Sequence, residues 1–285
     1  MKNVKTHLNE FLKDIIKIVR KPVMSILPGQ LSFFLLLSMI PIVLIIGIIS
    51  SYISISTNDI IKIVNESLPA NTSSLIVPLL QGQGMDYNIL LLIISALLLV
   101  SKGSRSIMRV ASIIYDTKDK ISIRLTIKSY VLSLLLVMLF MFILVVPLLG
   151  SKILYFLSRF KIISLITDNL INIYDIIKWP ITLCVLFINL KIIYVYSPNK
   201  KIPHSSVNRG TIFTSVGWVI STALYSYYVT HLTKYNVFYG GASNIIILML
   251  WVYLISYIFV LGMGINAGYI KNKNDLQEEG KVNKK

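Results

Sequence analysis

The sequence predicts an all-α polytopic membrane protein with six transmembrane helices, both termini cytoplasmic, and an amphipathic helix ahead of the first span. Three observations carry that prediction. Hydrophobic residues make up 55% of the 285 positions and charged residues 14%, with a mean hydropathy of +0.75; this is too apolar for an ordinary soluble domain. The apolar residues fall in long uncharged blocks, the pattern of a bilayer-spanning chain rather than of scattered core positions. The cations lie between the blocks and favour alternate connections. With both ends inside, twenty-one of the 28 Lys and Arg residues face the cytoplasm and six face outside, as the positive-inside rule requires. An odd number of spans would place the basic tail outside.

Charge and cysteine content narrow the partners. A net charge of +16 invites a nucleic-acid reading, but the cations are interspersed with greasy blocks and form no single basic domain. Membrane lipids, anionic ones among them, are therefore the expected partner, and nucleic acid is not. Cys184 is the only cysteine, which rules out an intrachain disulfide and a cysteine metal cluster. The chain carries no phosphate-cradling glycine loop, so no nucleotide or other cofactor is expected.

The elements follow in order. Residues 1–24 place Leu8, Phe11, Leu12, Ile15, Ile16 and Val19 at helical spacing beside Lys5, Lys13, Lys17, Arg20 and Lys21, an amphipathic basic helix suited to the cytoplasmic surface. The membrane domain occupies 25–270. Its first span lies in the uncharged stretch 22–58, too long for a signal-peptide core and so read as uncleaved, with Pro41 predicting a kink. An external loop, 53–86, contains "QGQG". The second span begins near Tyr87, the third runs Ser129 to Ser151, the fourth Trp179 to Pro198, the fifth Gly210 to Thr230, and the sixth lies within Tyr235 to Ile270. A polar cytoplasmic tail, 271–285, closes the chain.

The second span poses a problem. Its uncharged run, Tyr87 to Ser101, has 15 residues, short of the roughly 20 that a bilayer core needs. Lys102, Arg105, Arg109, Ser112 and Asp116 then follow at spacings of 3, 4, 3 and 4, one face of a continued helix. Gly103 is the one break in that pattern, costing about 1 kcal/mol relative to alanine. Two readings stand side by side. The cations are either topology anchors touching lipid phosphates, or the lining of a cytoplasm-facing cavity for an anionic cargo or headgroup, with Asp116 as internal partner. Gln30, Lys191 and Asn266 are the further candidates for such a cavity, each also explicable as a helix-packing hydrogen bond. The hydroxyl-rich face Thr211, Thr214, Trp218, Ser221 and Tyr225 either lines a path or marks close helix contacts.

The segment "KYNVFYGGASNIIILMLWVYLISYIFVLGMGINAG" resembles the YihY / virulence factor BrkB family, formerly called ribonuclease BN. Tyr239-Gly240, Trp251 and Gly262 through Ala267 align with that family's tyrosine-glycine turn, helix tryptophan and "G-A-E-L-N-A" ending. Asn266 and Ala267 match, while the family's usual glutamate falls on Gly264. Phe33, Phe34, Ser38 and Pro41 of "GQLSFFLLLSMIP" are similar to its first-helix signature. Tyr115 in "ASIIYDTKDK" and Gly210 after "YVYSPNKKIP" extend the resemblance along essentially the whole chain. The resemblance implies a multipass bacterial inner-membrane protein of six helices with a role around transport of lipids or small solutes.

The functional expectation is a transporter or lipid-handling protein with a cytoplasm-facing polar cavity, not an enzyme. The alternative is a non-transporting scaffold that docks partner proteins through residues 1–20 and the external loop. A nuclease would need clustered metal ligands or acid-base groups, whereas the three histidines are scattered.

Overall fold

The structure is a computed structural model that describes residues 15–52, 89–117, 123–138, 167–231 and 243–282, with isolated positions 61, 65 and 77. Every regular element among the described residues is helical, and none is a strand. The first 14 residues, most of the external loop and the Tyr239-Gly240 turn lie outside the described residues.

After a short helical stretch at 15–19, α1 is Val23–Tyr52, α2 is Ile89–Ile114 and α3 covers 123–138; α4 is Thr167–Tyr196, α5 Asn208–His231 and α6 Ser243–Val282. A 3₁₀ turn, His204–Val207, leads into α5. Helix α1 runs through Pro28 and Pro41 without ending. In a bundle, neighbouring helices and Ser or Thr side chains can compensate for the backbone bonds that proline removes. Helix α6 has 40 residues, about 60 Å at 1.5 Å each. It therefore continues without a break through position 271, where the polar tail was expected to begin. Its Ile245–Lys271 stretch is long and apolar enough to cross a membrane, and shorter apolar helices occupy Val23–Met39 and Pro180–Tyr196.

Helix α6 is the hub. It packs extensively on α1 and α5 and touches α2; α1 packs on α2, and α5 on α4. Helix α3 joins α2 through a hydrogen bond between the Ser104 and Ser133 hydroxyls at 2.9 Å. It also reaches α4, where Lys128 Nζ donates to the Pro198 carbonyl at 2.5 Å and to that of Ser197 at 3.5 Å. That lysine supplies a cation to carbonyls just beyond the end of α4, where the helix dipole is negative. The buried core takes Leu27 and Leu31 from α1, Val110 and Ala111 from α2, Leu132 from α3, Leu190 and Tyr194 from α4, and Val260 and Met263 from α6.

Two crossings need glycine. A Cβ on Gly103 would collide with Ser38 Oγ and lie 3.3 Å from the Phe34 carbonyl, so the residue that looked like a weak point in α2 is one where α1 packs too closely for a side chain. At the second crossing, a Cβ on Gly210 would collide with the Gly262 carbonyl, and one on Gly262 with Thr214 Oγ1. Small residues let helix backbones approach in this way, and the approach gains dispersion contacts that compensate for the absent side chain.

Candidate functional site

Helix α2 sorts its residues cleanly. Gly103, Ser104, Ser106, Ile107, Met108, Val110, Ala111 and Ser112 are buried, whereas Lys102, Arg105 and Arg109 are exposed. The apolar and small side chains pack inward on α1 and α3, so the three cations point away from the bundle. None of the three forms an ion pair with a described residue. Arg105 reaches a neighbouring helix, its Nε donating to Ser129 Oγ of α3 at 3.5 Å. Exposed aliphatic side chains flank them: Leu98 and Leu99 on α2, and Ile127, Val131 and Leu134 on α3. The arrangement offers anion-binding cations on an otherwise greasy outer wall.

The face ends sooner than its spacing suggested. Helix α2 stops at Ile114 because Asp116 takes a left-handed backbone, φ 50°. The Thr117 N–H then reaches back to the Ser112 carbonyl at 2.8 Å and the Asp116 N–H to that of Ile113 at 3.4 Å, a Schellman closure. Asp116 is exposed in that turn and Ser112 is buried, so neither extends the cationic row.

The remaining candidates lie on other helices. Gln30 is half-buried on α1. Lys191 is half-buried on α4, its Nζ 5.9 Å from the centre of the Phe187 ring. Asn266 is fully buried at the α5–α6 crossing, where its Oδ1 accepts the Gly210 N–H at 2.7 Å. The hydroxyl-bearing face of α5 is joined to α6. Trp218 Nε1 donates to the Ile255 carbonyl at 2.9 Å and Tyr225 Oη to that of Ile247 at 2.6 Å. Thr211 bonds back to the Val207 carbonyl at 2.7 Å.

Two contributors escaped sequence reasoning. Tyr194 is buried in α4, and its Oη bonds Thr214 Oγ1 at 2.7 Å and the Phe259 carbonyl at 2.8 Å, tying α4, α5 and α6 together. A lone tyrosine in an apolar helix gives no local signal of that role. Lys128 is the other. Burial, and secondarily the charge of Arg124, pull its pKa below the ordinary lysine value. Tyr115, at the end of α2, is buried with its hydroxyl unpartnered, and burial alone pushes its phenol above the usual range.

A family model described as virulence factor BrkB matches residues 20–285. The chain is 32% identical over 251 residues to the ribonuclease-like protein YfkH of Bacillus subtilis, a match covering 86% of this chain and 90% of that one. It is 24% identical over 270 residues to a UPF0761 membrane protein of Vibrio vulnificus, covering 90% of this chain and 81% of the other. A UPF0761 membrane protein of Idiomarina loihiensis is similar over a shorter stretch, 25% identical over 91 residues and 32% of each chain. No solved structure matches.

Proposed function

The chain belongs to the virulence factor BrkB family of membrane proteins, and on that premise we propose that it is a six-span protein of the bacterial inner membrane, both termini cytoplasmic, that handles anionic lipid. The observation that carries the reading is the outward row Lys102, Arg105 and Arg109, exposed on α2 beside exposed aliphatic side chains. A soluble anionic cargo would favour cations converging on an enclosed space. Cations on an outer wall with aliphatic neighbours instead match a molecule with a charged head and an acyl body. The cytoplasm-facing cavity anticipated from the sequence is thereby replaced, as a proposal, by a bilayer-facing surface. Its role is handling or transport rather than catalysis. The excess of cytoplasmic Lys and Arg supports the proposed topology.

The test is the lipid that accompanies the protein. Purified in mild detergent, the wild type should carry anionic phospholipid in excess of its share of the membrane, read by mass spectrometry. A folded Lys102→Gln/Arg105→Gln/Arg109→Gln variant should lose that excess. Equal, unselective lipid in both proteins overturns the reading.

A further inference from the structure

The pairing of α2 with α3 sets the level of each cation along the expected third span. Ser104 meets Ser133 and Arg105 meets Ser129, so the two helices run antiparallel. The uncharged stretch of the third span begins at Ser129. Ser133 lies one turn inside it, and Lys102 lies two residues further along α2, in the same inward direction. At 1.5 Å per residue, Lys102 is level with a point about 9 Å beyond Ser129. Arg109, seven residues away on the same face, sits about 10 Å nearer the cytoplasm. The row is therefore a descending series, with Arg109 nearest the start of the third span, Arg105 between, its side chain reaching back to Ser129, and Lys102 deepest, on a wall that also exposes Leu98, Leu99, Val131 and Leu134.

A cation is costly at the depth of acyl chains unless an anion or water accompanies it. An anchor would need cations only at the level of the headgroups, and on the proposed topology Arg109 alone supplies one there. Resting on the lipid-handling reading above, we propose that the outer wall of α2 and α3 is a binding site for an anionic phospholipid whose phosphate descends from Arg109 to Lys102, below the plane of the neighbouring headgroups, while its acyl chains lie on the flanking aliphatic side chains. The aliphatic flank assigns the anion to a lipid rather than to free phosphate.

The test reads depth. In a Cys184→Ser background, a bimane fluorophore is placed on Leu134→Cys, level with Lys102, or on Ile123→Cys, near the surface; both positions are exposed, at 56% and 82%. Each protein is reconstituted in phosphatidylcholine nanodiscs carrying a minority of either an anionic phospholipid or a phosphatidylcholine, spin-labelled on its headgroup. The site predicts that the anionic probe quenches bimane at 134 more strongly than the zwitterionic probe does. Lys102→Gln should lower that preference about fivefold, the weight of one cation beside a charged headgroup. Position 123 should be quenched by both probes and serves as the check on folding and insertion. No anionic preference at 134, with anionic lipid still retained on purification, overturns the descent and leaves lipid handling standing. No anionic preference in either assay overturns both.

Discussion

The side-chain carbonyl of Asn266 accepts the backbone N–H of Gly210 at 2.7 Å, across a crossing of α5 and α6 too tight for a Cβ on Gly210. It satisfies a donor near the start of α5 that the helix itself would leave free. Asn266→Ala should strand that N–H in a dry crossing and destabilise the fold by about 1–3 kcal/mol. Unfolding in mixed micelles, followed by tryptophan fluorescence, measures it. Ile212→Ala, on the exposed side of the same helix, should change little.

The same crossing makes Gly262 irreplaceable by alanine alone. Its Cβ would collide with Thr214 Oγ1 and lie 2.6 Å from Tyr194 Oη, and overpacking of this kind costs about 1–3 kcal/mol. Thr214→Ala removes the nearer obstacle, so the double variant should be more stable than the sum of its single effects predicts. Strict additivity would show that the two helices do not meet here.

Tyr194→Phe removes one hydroxyl that serves α5 and α6 together. The phenyl ring still stacks on Phe259, whose centroid is 4.8 Å away, so packing survives. The Phe259 carbonyl also belongs to the backbone of α6, which limits its loss. About 0.5–1.5 kcal/mol of stability should disappear, with no change in the lipid retained on purification. Loss of lipid without loss of stability would instead give this buried tyrosine a part in binding.

Lys128 gives a pH dependence. Its folded-state pKa is lowered from the ordinary 10.5, chiefly by burial, so on raising the pH the folded chain releases this proton before the unfolded chain does. Between the lowered value and 10.5 the unfolded state binds more protons, and stability should rise with pH across that window. Lys128→Gln should remove this contribution to the slope, measured as unfolding midpoints at graded alkaline pH. The variant also loses the cation at the end of α4.

Periodicity and charge, both local properties, determined that this chain is helical, where its apolar blocks lie, and that Lys102, Arg105 and Arg109 share one side of a helix. The end of that row was less legible, because Asp116 is a residue that left-handed backbone tolerates but does not announce. Which way the row points was decided only by tertiary structure. In a bilayer, lipid is as apolar as a neighbouring helix, so hydrophobicity cannot distinguish a packed face from an exposed one. The decision was made by Gly103 against Ser38 and by Ser104 against Ser133, contacts between segments distant in the chain. Asn266 shows the same division. Its amide was visible as a polar group in an apolar run, and its partner, the Gly210 N–H 56 positions away, exists only because two helices cross closely enough for one side chain to reach the other's backbone.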